Sequence, residues 1–145
     1  MKRHSSLAPL SREHHQALIL AQLLKKGSPA YKGLPTGIKE KAVYAFNFYQ
    51  HDLVQHFKEE EIVIEKIQGI NPELDQLADE IIEDHKELRQ LFDQVNTSTD
   101  IDTHVDLLGH KLEQHIRKEE RVFFPMTQQY CNEKILNEIE ALLSV

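Results

Sequence analysis

The sequence predicts an all-α protein, an up-down-up-down antiparallel four-helix bundle followed by a short C-terminal helix. Apolar residues recur at helical spacing through most of the chain. The chain also contains only 5 Gly and 5 Pro. Short turn segments separate long amphipathic ones, and amphipathic helices joined by short connections pack as antiparallel neighbours.

Length and composition describe one ordinary globular domain, which we expect to span residues 1–145. The 145 residues are 40% hydrophobic and 28% charged, which is enough apolar surface to bury a core. The net charge of −7 argues against nucleic acid or an anionic membrane as a partner. Cys131 is the single cysteine, so no intrachain disulfide is possible. Since the N-terminus lacks the apolar run of a signal peptide and no stretch resembles a membrane span, the expected compartment is the cytoplasm.

The first helix is predicted from Ser11 to about Lys26. Ser11 is a suitable N-cap residue, and the Gly-Ser-Pro sequence at 27–29 stops the helix. The ten residues before it are interpreted as an arm, in which Leu7 and Leu10 can pack against the core.

The next two helices are joined at a glycine and a proline. The second helix is predicted from about Ile38 to Gln68, where Gly69 ends it. Asn71 and Pro72 then supply the N-cap and the first-turn proline of a third helix that runs to about Val95.

The fourth helix is predicted to start near Asp102, after a polar turn at residues 96–100. Pro125 is expected to end or kink it, because a proline inside a helix removes a backbone hydrogen bond. A short fifth helix, from Glu133 to Leu143, closes the chain.

Two stretches of the chain repeat one another. Residues 51–61, HDLVQHFKEEE, align with residues 110–120, HKLEQHIRKEE, and each contains His-x-x-x-Glu followed by a second Glu. Residues four apart lie on one helix face, about 6 Å apart along the axis. In both copies this pair interrupts an apolar stripe, so it is expected to point inward. A buried carboxylate needs a counter-charge, and for two facing pairs a metal ion is the simplest one.

His85 is predicted to join these pairs. His56 and His85 lie nearly the same number of residues before and after Ile70, so they come to the same depth across an antiparallel hairpin. His85 also lies on the apolar stripe of the third helix, and His115 reaches a similar depth across the next turn.

The first helix offers two adjacent candidates, His14 and His15. REHHQAL at residues 12–18 parallels EDHKEL at residues 83–88. His14 shares a face with the apolar residues of its helix, whereas the match to the third helix favours His15. We favour His14, and His15 remains the alternative.

Together these arguments predict a metal site with six protein ligands: His14, His56, Glu60, His85, His115 and Glu119. Ligands rich in imidazole and free of thiolate suit iron, manganese or zinc, and two carboxylates from different helices suit the bridging of two ions. Glu59, Glu61 and Glu120 are interpreted as a solvated face.

Four segments, REHHQAL, HFKEEE, EDHKEL and HIRKEERVFFP, resemble in order the motif segments of the hemerythrin-like (HHE cation-binding) family. The resemblance implies a non-haem di-iron centre with an oxo or hydroxo bridge, held by those six ligands, with Glu60 and Glu119 as the bridging carboxylates. Oxygen carriers of this kind place a further His where this chain has Arg89. The resemblance therefore implies sensing or handling of oxygen, nitric oxide or iron rather than oxygen carriage, with a small diatomic molecule as the expected partner. The alternatives are a di-iron enzyme of oxidative defence and a bundle whose metal is structural.

Overall fold

The computed structural model describes residues 2–144, and all regular secondary structure in that range is helical. Two short π-helical segments interrupt the α-helices without breaking the helical path. The order along the chain is α1 (Ala8–Leu24), α2 (Ile38–Phe48), the first π-helical segment (Tyr49–Leu53), α3 (Val54–Lys66), α4 (Pro72–Asp93), α5 (Ile101–Lys118), the second π-helical segment (Glu119–Phe123), α6 (Phe124–Tyr130) and α7 (Glu133–Leu143).

The π-helical segments lie next to the two His-x-x-x-Glu motifs. The first ends shortly before His56, and the second begins at Glu119 itself. A π-helical turn holds more residues than an α-helical turn, so it changes which face the following residues present. The sequence predicted one uninterrupted helix at each of these places, and in that respect the prediction was wrong.

The start of α1 also differs from the prediction. The helix begins at Ala8, with Leu7 at its N-cap position and Pro9 in its first turn, rather than at Ser11. Leu7 and Leu10 are both fully buried, so the predicted arm is partly the first turn of the helix. Ser11 lies inside α1, and its hydroxyl donates a hydrogen bond to Oε2 of Glu120 at 2.6 Å instead of capping the helix.

Other helix ends follow the polar residues that the sequence offers. The side chain of Asn71 accepts hydrogen bonds from the first backbone N–H groups of α4, as predicted. Gly69, with φ 83°, makes the turn between α3 and α4. Pro125 does not end the helical path: it lies just after the second π-helical segment, and α6 continues to Tyr130. The C-terminal helix has the predicted bounds.

The core consists of two apolar clusters with a polar layer between them. Along α1, Leu10 belongs to one cluster and Ala17 to the other, with His14 between them. Along α4, Ile81 and Leu88 flank His85 in the same way. The layer of polar side chains therefore crosses the middle of the helical bundle.

α1 and α5 approach each other closely at Gly109. A Cβ atom at this position would lie 2.8 Å from the carbonyl oxygen of Ala21 and 3.1 Å from Cβ of Leu24. Gly109 thus permits the close approach of the C-terminal half of α1 to α5. None of the helices between residues 2 and 144 combines the length and the hydrophobicity that a membrane span requires.

Candidate metal centre

The polar layer contains the six residues that the sequence predicted as ligands. All are buried, with at most 4% of any of them exposed. α1, α3, α4, α5 and the start of the second π-helical segment contribute them. The structure thus brings together His14, His56, Glu60, His85, His115 and Glu119, which we call the central cluster.

The two adjacent histidines of α1 face different environments. His14 is 2% exposed and its Nε2 atom lies 3.1 Å from Nε2 of His56. His15 is exposed to solvent on the outside of the helix. His14 is therefore the α1 histidine of the central cluster.

The central cluster divides into two groups of four that share both carboxylates. One group is His14, His56, Glu60 and Glu119, and the other is Glu60, His85, His115 and Glu119. Within each group, one potential ligand atom per residue lies within 4.8 Å of the others. Each group has the residue types and the spacing that suit a transition-metal ion.

Glu60 faces both histidine pairs, one with each oxygen. Its Oε2 atom lies 2.9 Å from Nε2 of His56 and 3.3 Å from Nε2 of His14. Its Oε1 atom lies 2.9 Å from Nε2 of His85 and 3.8 Å from Nε2 of His115. A carboxylate in this position can bridge two ions.

Glu119 lies between the same pairs but lacks hydrogen bonds. Its Oε1 atom is 3.2 Å from Nε2 of His14 and 3.0 Å from Nε2 of His115. Despite these short distances, neither oxygen of Glu119 nor Nε2 of His115 makes a hydrogen bond of acceptable geometry within residues 2–144. A buried polar atom without a partner costs about 1–3 kcal/mol. Nitrogen and oxygen atoms that converge without hydrogen-bonding to one another have the arrangement expected of the ligand atoms of a bound cation.

Each histidine of the central cluster donates its outer N–H to a carboxylate. Because Nδ1 is held in this way, Nε2 points toward the centre, which is the usual arrangement for metal-binding histidines. We call the four acids that accept these hydrogen bonds the outer carboxylates. The pairs, with the distance from Nδ1 to the carboxylate oxygen, are His14 and Glu120 at 2.7 Å, His56 and Glu13 at 2.8 Å, His85 and Glu61 at 2.6 Å, and His115 and Asp84 at 3.1 Å.

The interpretation of Glu61 and Glu120 as a solvated face was wrong. Their side chains are only 30% and 29% exposed, and each accepts a hydrogen bond from a buried histidine of a neighbouring helix. One residue of advance along a helix turns the side chain by about 100°, so the Glu that follows Glu60 or Glu119 points at the next helix rather than at the centre. In the sequence, the repeated Glu-Glu pair was the signal that could have indicated this role for the second Glu.

Three of the four outer carboxylates are also paired with a cation. Glu120 contacts Arg3 at 3.1 Å, and Asp84 contacts Lys118 at 2.9 Å. Arg89 contacts Glu61 at 2.8 Å, and its guanidinium carbon lies 5.7 Å from the centre of the Phe57 ring. Arg89 thus supports an outer carboxylate and does not enter the central cluster.

The carboxylates of the cluster favour protonated histidines when no metal is bound. Burial lowers the pKa of His14, but the nearby carboxylates of Glu119, Glu120 and Glu60 outweigh it and raise the pKa to about 11. Burial also lowers the pKa of His56, which Glu60 and Glu13 raise to about 9. Burial opposes ionisation of Glu60, yet the surrounding histidines hold its pKa well below the usual range. Protons and metal ions therefore compete for the same nitrogen atoms.

The model of the hemerythrin HHE cation-binding domain family matches residues 5–127 of the chain. This range contains the whole central cluster and all four outer carboxylates. Comparisons with curated proteins and with solved structures gave no match.

Proposed function

Because the chain belongs to the hemerythrin HHE cation-binding domain family, we propose that it binds two iron ions and senses or handles oxygen, nitric oxide or iron. One observation carries this proposal: two groups of two histidines share the same two carboxylates. A single ion needs only one such group, whereas two shared carboxylates between two histidine pairs suit a dinuclear centre.

In this proposal His14 and His56 would hold one ion and His85 and His115 the other, with Glu60 and Glu119 shared by both. Glu60 supports this role with an oxygen directed at each pair. The bundle that carries these residues is proposed to have up-down-up-down topology, which the short connections at residues 67–71 and 94–100 favour.

The donor set favours iron among the candidate metals. Imidazole and carboxylate suit iron, manganese and zinc, but a structural zinc site is usually closed by four ligands that are not shared with a second ion. A bound iron pair supplies redox chemistry and coordination positions that six protein ligands leave free. The protein's own contribution is to hold each Nδ1 proton on an outer carboxylate and to direct each Nε2 atom inward.

Arg89 favours sensing or handling over reversible oxygen carriage. It lies one turn beyond His85, and an arginine stays protonated and cannot coordinate a metal. Its contact with Glu61 places its guanidinium group beside an outer carboxylate and outside the central cluster. The group that contains His85 and His115 therefore has two imidazoles and no third.

Elemental analysis of the purified protein, combined with optical spectra in air and under reduction, tests the identity of the metal. We expect iron, with a near-ultraviolet absorption in air that disappears on reduction. A colourless protein with tightly held zinc and no response to reductant would instead support a structural metal.

A further inference from the structure

We propose that the cleft beside His56 is the route by which the cation reaches the central cluster, with Glu13 and Asp52 as its first binding site. The inference rests on the proposed function, since it concerns delivery of the ions that the central cluster would hold.

The cleft leads from solvent to a buried ligand candidate. Its volume is about 320 Å³. His56 forms part of its wall although only 4% of this residue is exposed. The remaining lining residues are Glu13, Gln16, Tyr44, Phe48, Asp52 and Leu53. Glu13 and His56 both line the cleft and are hydrogen-bonded to each other, so the cleft adjoins the central cluster at His56.

Glu13 differs from the other outer carboxylates in its freedom to move. Its side chain is 53% exposed, compared with 25–30% for the other three. Between residues 2 and 144, Glu13 makes no ion pair with a lysine or an arginine, whereas each of the others does. Its hydrogen bond to His56 Nδ1 is its one ionic contact in this range. Glu13 can therefore turn into the cleft at the cost of a single interaction.

The charge at the cleft favours a cation. Glu13 and Asp52 place two carboxylates on its wall, and no lysine or arginine among residues 2–144 lines it. Carboxylates that line a cleft raise the local concentration of cations and their rate of association. Glu13 is then able to carry the ion from the cleft to the edge of the His56 ring by exchanging one hydrogen bond for a coordination bond.

The other opening near the cluster suits a cation less well. A smaller cleft of about 90 Å³ lies beside His115, and both Lys111 and Lys118 line it. Its outer carboxylate, Asp84, already accepts hydrogen bonds from Lys118 and His115. Glu87 also lines this opening and pairs with Lys111, as Asp84 pairs with Lys118, so the charges of the opening cancel. The cleft beside His56, with two carboxylates that no lysine or arginine of residues 2–144 pairs with, is therefore the favoured route.

The test compares loading rates of metal-free protein with ferrous ion under anaerobic stopped-flow conditions. Glu13→Gln removes the charge but keeps an oxygen that can accept from His56 Nδ1. Glu13→Gln with Asp52→Asn removes both charges. Glu83→Gln is the matched control, since it makes the same chemical change in a carboxylate that is 71% exposed and lines neither cleft. A chelator competition on each variant measures the affinity at equilibrium.

We expect Glu13→Gln to load roughly tenfold more slowly and the double variant more slowly still, a change of the size that charged clefts produce. Release of the metal to a chelator should slow as well, because the ion leaves through the same cleft. The affinity should therefore change little, since loading and release slow together. Glu83→Gln should load at close to the parent rate. Equal loading rates for Glu13→Gln and the parent would overturn the proposed route, as would equal slowing by Glu83→Gln. A parent protein that takes up no ferrous ion would contradict the proposed function itself and the route with it.

Discussion

Oε2 of Glu61 lies 2.6 Å from Nδ1 of His85 and thereby orients a histidine that belongs to a different helix. The same oxygen lies 2.8 Å from Arg89. Glu61, the residue after Glu60, thus connects the central cluster to Arg89. The outer carboxylates form a closed cycle, in which Glu13 of α1 holds His56, Glu61 of α3 holds His85, Asp84 of α4 holds His115, and Glu120 holds His14.

We predict from the position of Arg89 that iron-loaded, reduced protein oxidises in air and does not cycle. Because the group of His85 and His115 has two imidazoles and Arg89 cannot supply a ligand, an ion held there would be more accessible to solvent. Optical spectra recorded over repeated exposure to air and to vacuum should show a progressive loss of the reduced form. Repeated recovery of the reduced spectrum without added reductant would contradict the prediction.

Substitution of the two adjacent histidines of α1 should have different effects. His14→Ala removes a buried member of the central cluster, so we expect metal affinity to fall by at least tenfold. His15→Ala alters an exposed side chain and should leave the affinity close to that of the parent. Chelator competition on both variants provides the comparison. A larger loss for His15→Ala would mean that α1 presents the other face in solution.

Glu120→Ala should weaken metal binding although Glu120 is not one of the six predicted ligands. Without this carboxylate, Nδ1 of His14 loses its acceptor and the ring loses its fixed orientation. Removal of such a partner typically lowers metal affinity 10- to 100-fold. Glu133→Ala is the control, since Glu133 is 70% exposed and its one ion pair within residues 2–144 is with His4, outside the cluster. Equal affinities for the two variants would show that Glu120 does not position His14.

The stability of the metal-free protein should fall as the pH rises from neutral. Despite burial, the surrounding carboxylates raise the pKa of His56 to about 9 and that of His14 to about 11, from an ordinary value of 6.5. The folded state therefore binds these protons more tightly than the unfolded state, and the stabilisation is complete below about pH 6.5 and is lost as the pH rises through the folded-state values. Burial opposes ionisation of Glu120, but His14 and Ser11 lower its pKa to about 2, so its contribution is present above about pH 4.5 and disappears toward pH 2.

Bound metal should reverse the alkaline part of this dependence. Metal ions displace the histidine protons, so metal affinity, and with it the stability of the loaded protein, increases with pH. Urea unfolding of both forms at about pH 6.5 and pH 9 measures the difference. Metal-free protein that is equally stable at the two pH values would contradict the proton-linked account of the empty cluster.

Much of the central cluster could be predicted because its residues lie on apolar helix stripes. His56 and Glu60 interrupt such a stripe, as do His115 and Glu119, and matching distances from the turns place His85 at their depth. Their assignment as ligands remains a prediction, whereas their convergence is a property of the structure. The choice between His14 and His15 depended on the same apolar periodicity.

Other features depend on tertiary contacts that periodicity does not encode. The π-helical segments reflect a change in backbone hydrogen bonding, and apolar spacing does not report it. Ser11 has the chemistry of an N-cap, but burial of Leu7 draws the preceding turn into α1 and leaves Ser11 to contact Glu120. Glu61 and Glu120 lie at half-exposed positions, so apolar periodicity does not predict their partners. These partners depend on how the neighbouring helices are rotated about their axes.

The most direct test of a dinuclear centre is a calorimetric titration of metal-free protein with ferrous ion under anaerobic conditions. We predict saturation at two ions per chain for the parent and a clear loss of stoichiometry or affinity for Glu119→Ala. Glu83→Ala, which alters a side chain that is 71% exposed, should saturate like the parent. Saturation of the parent at one ion per chain, or parent-like binding by Glu119→Ala, would contradict a centre bridged by Glu60 and Glu119.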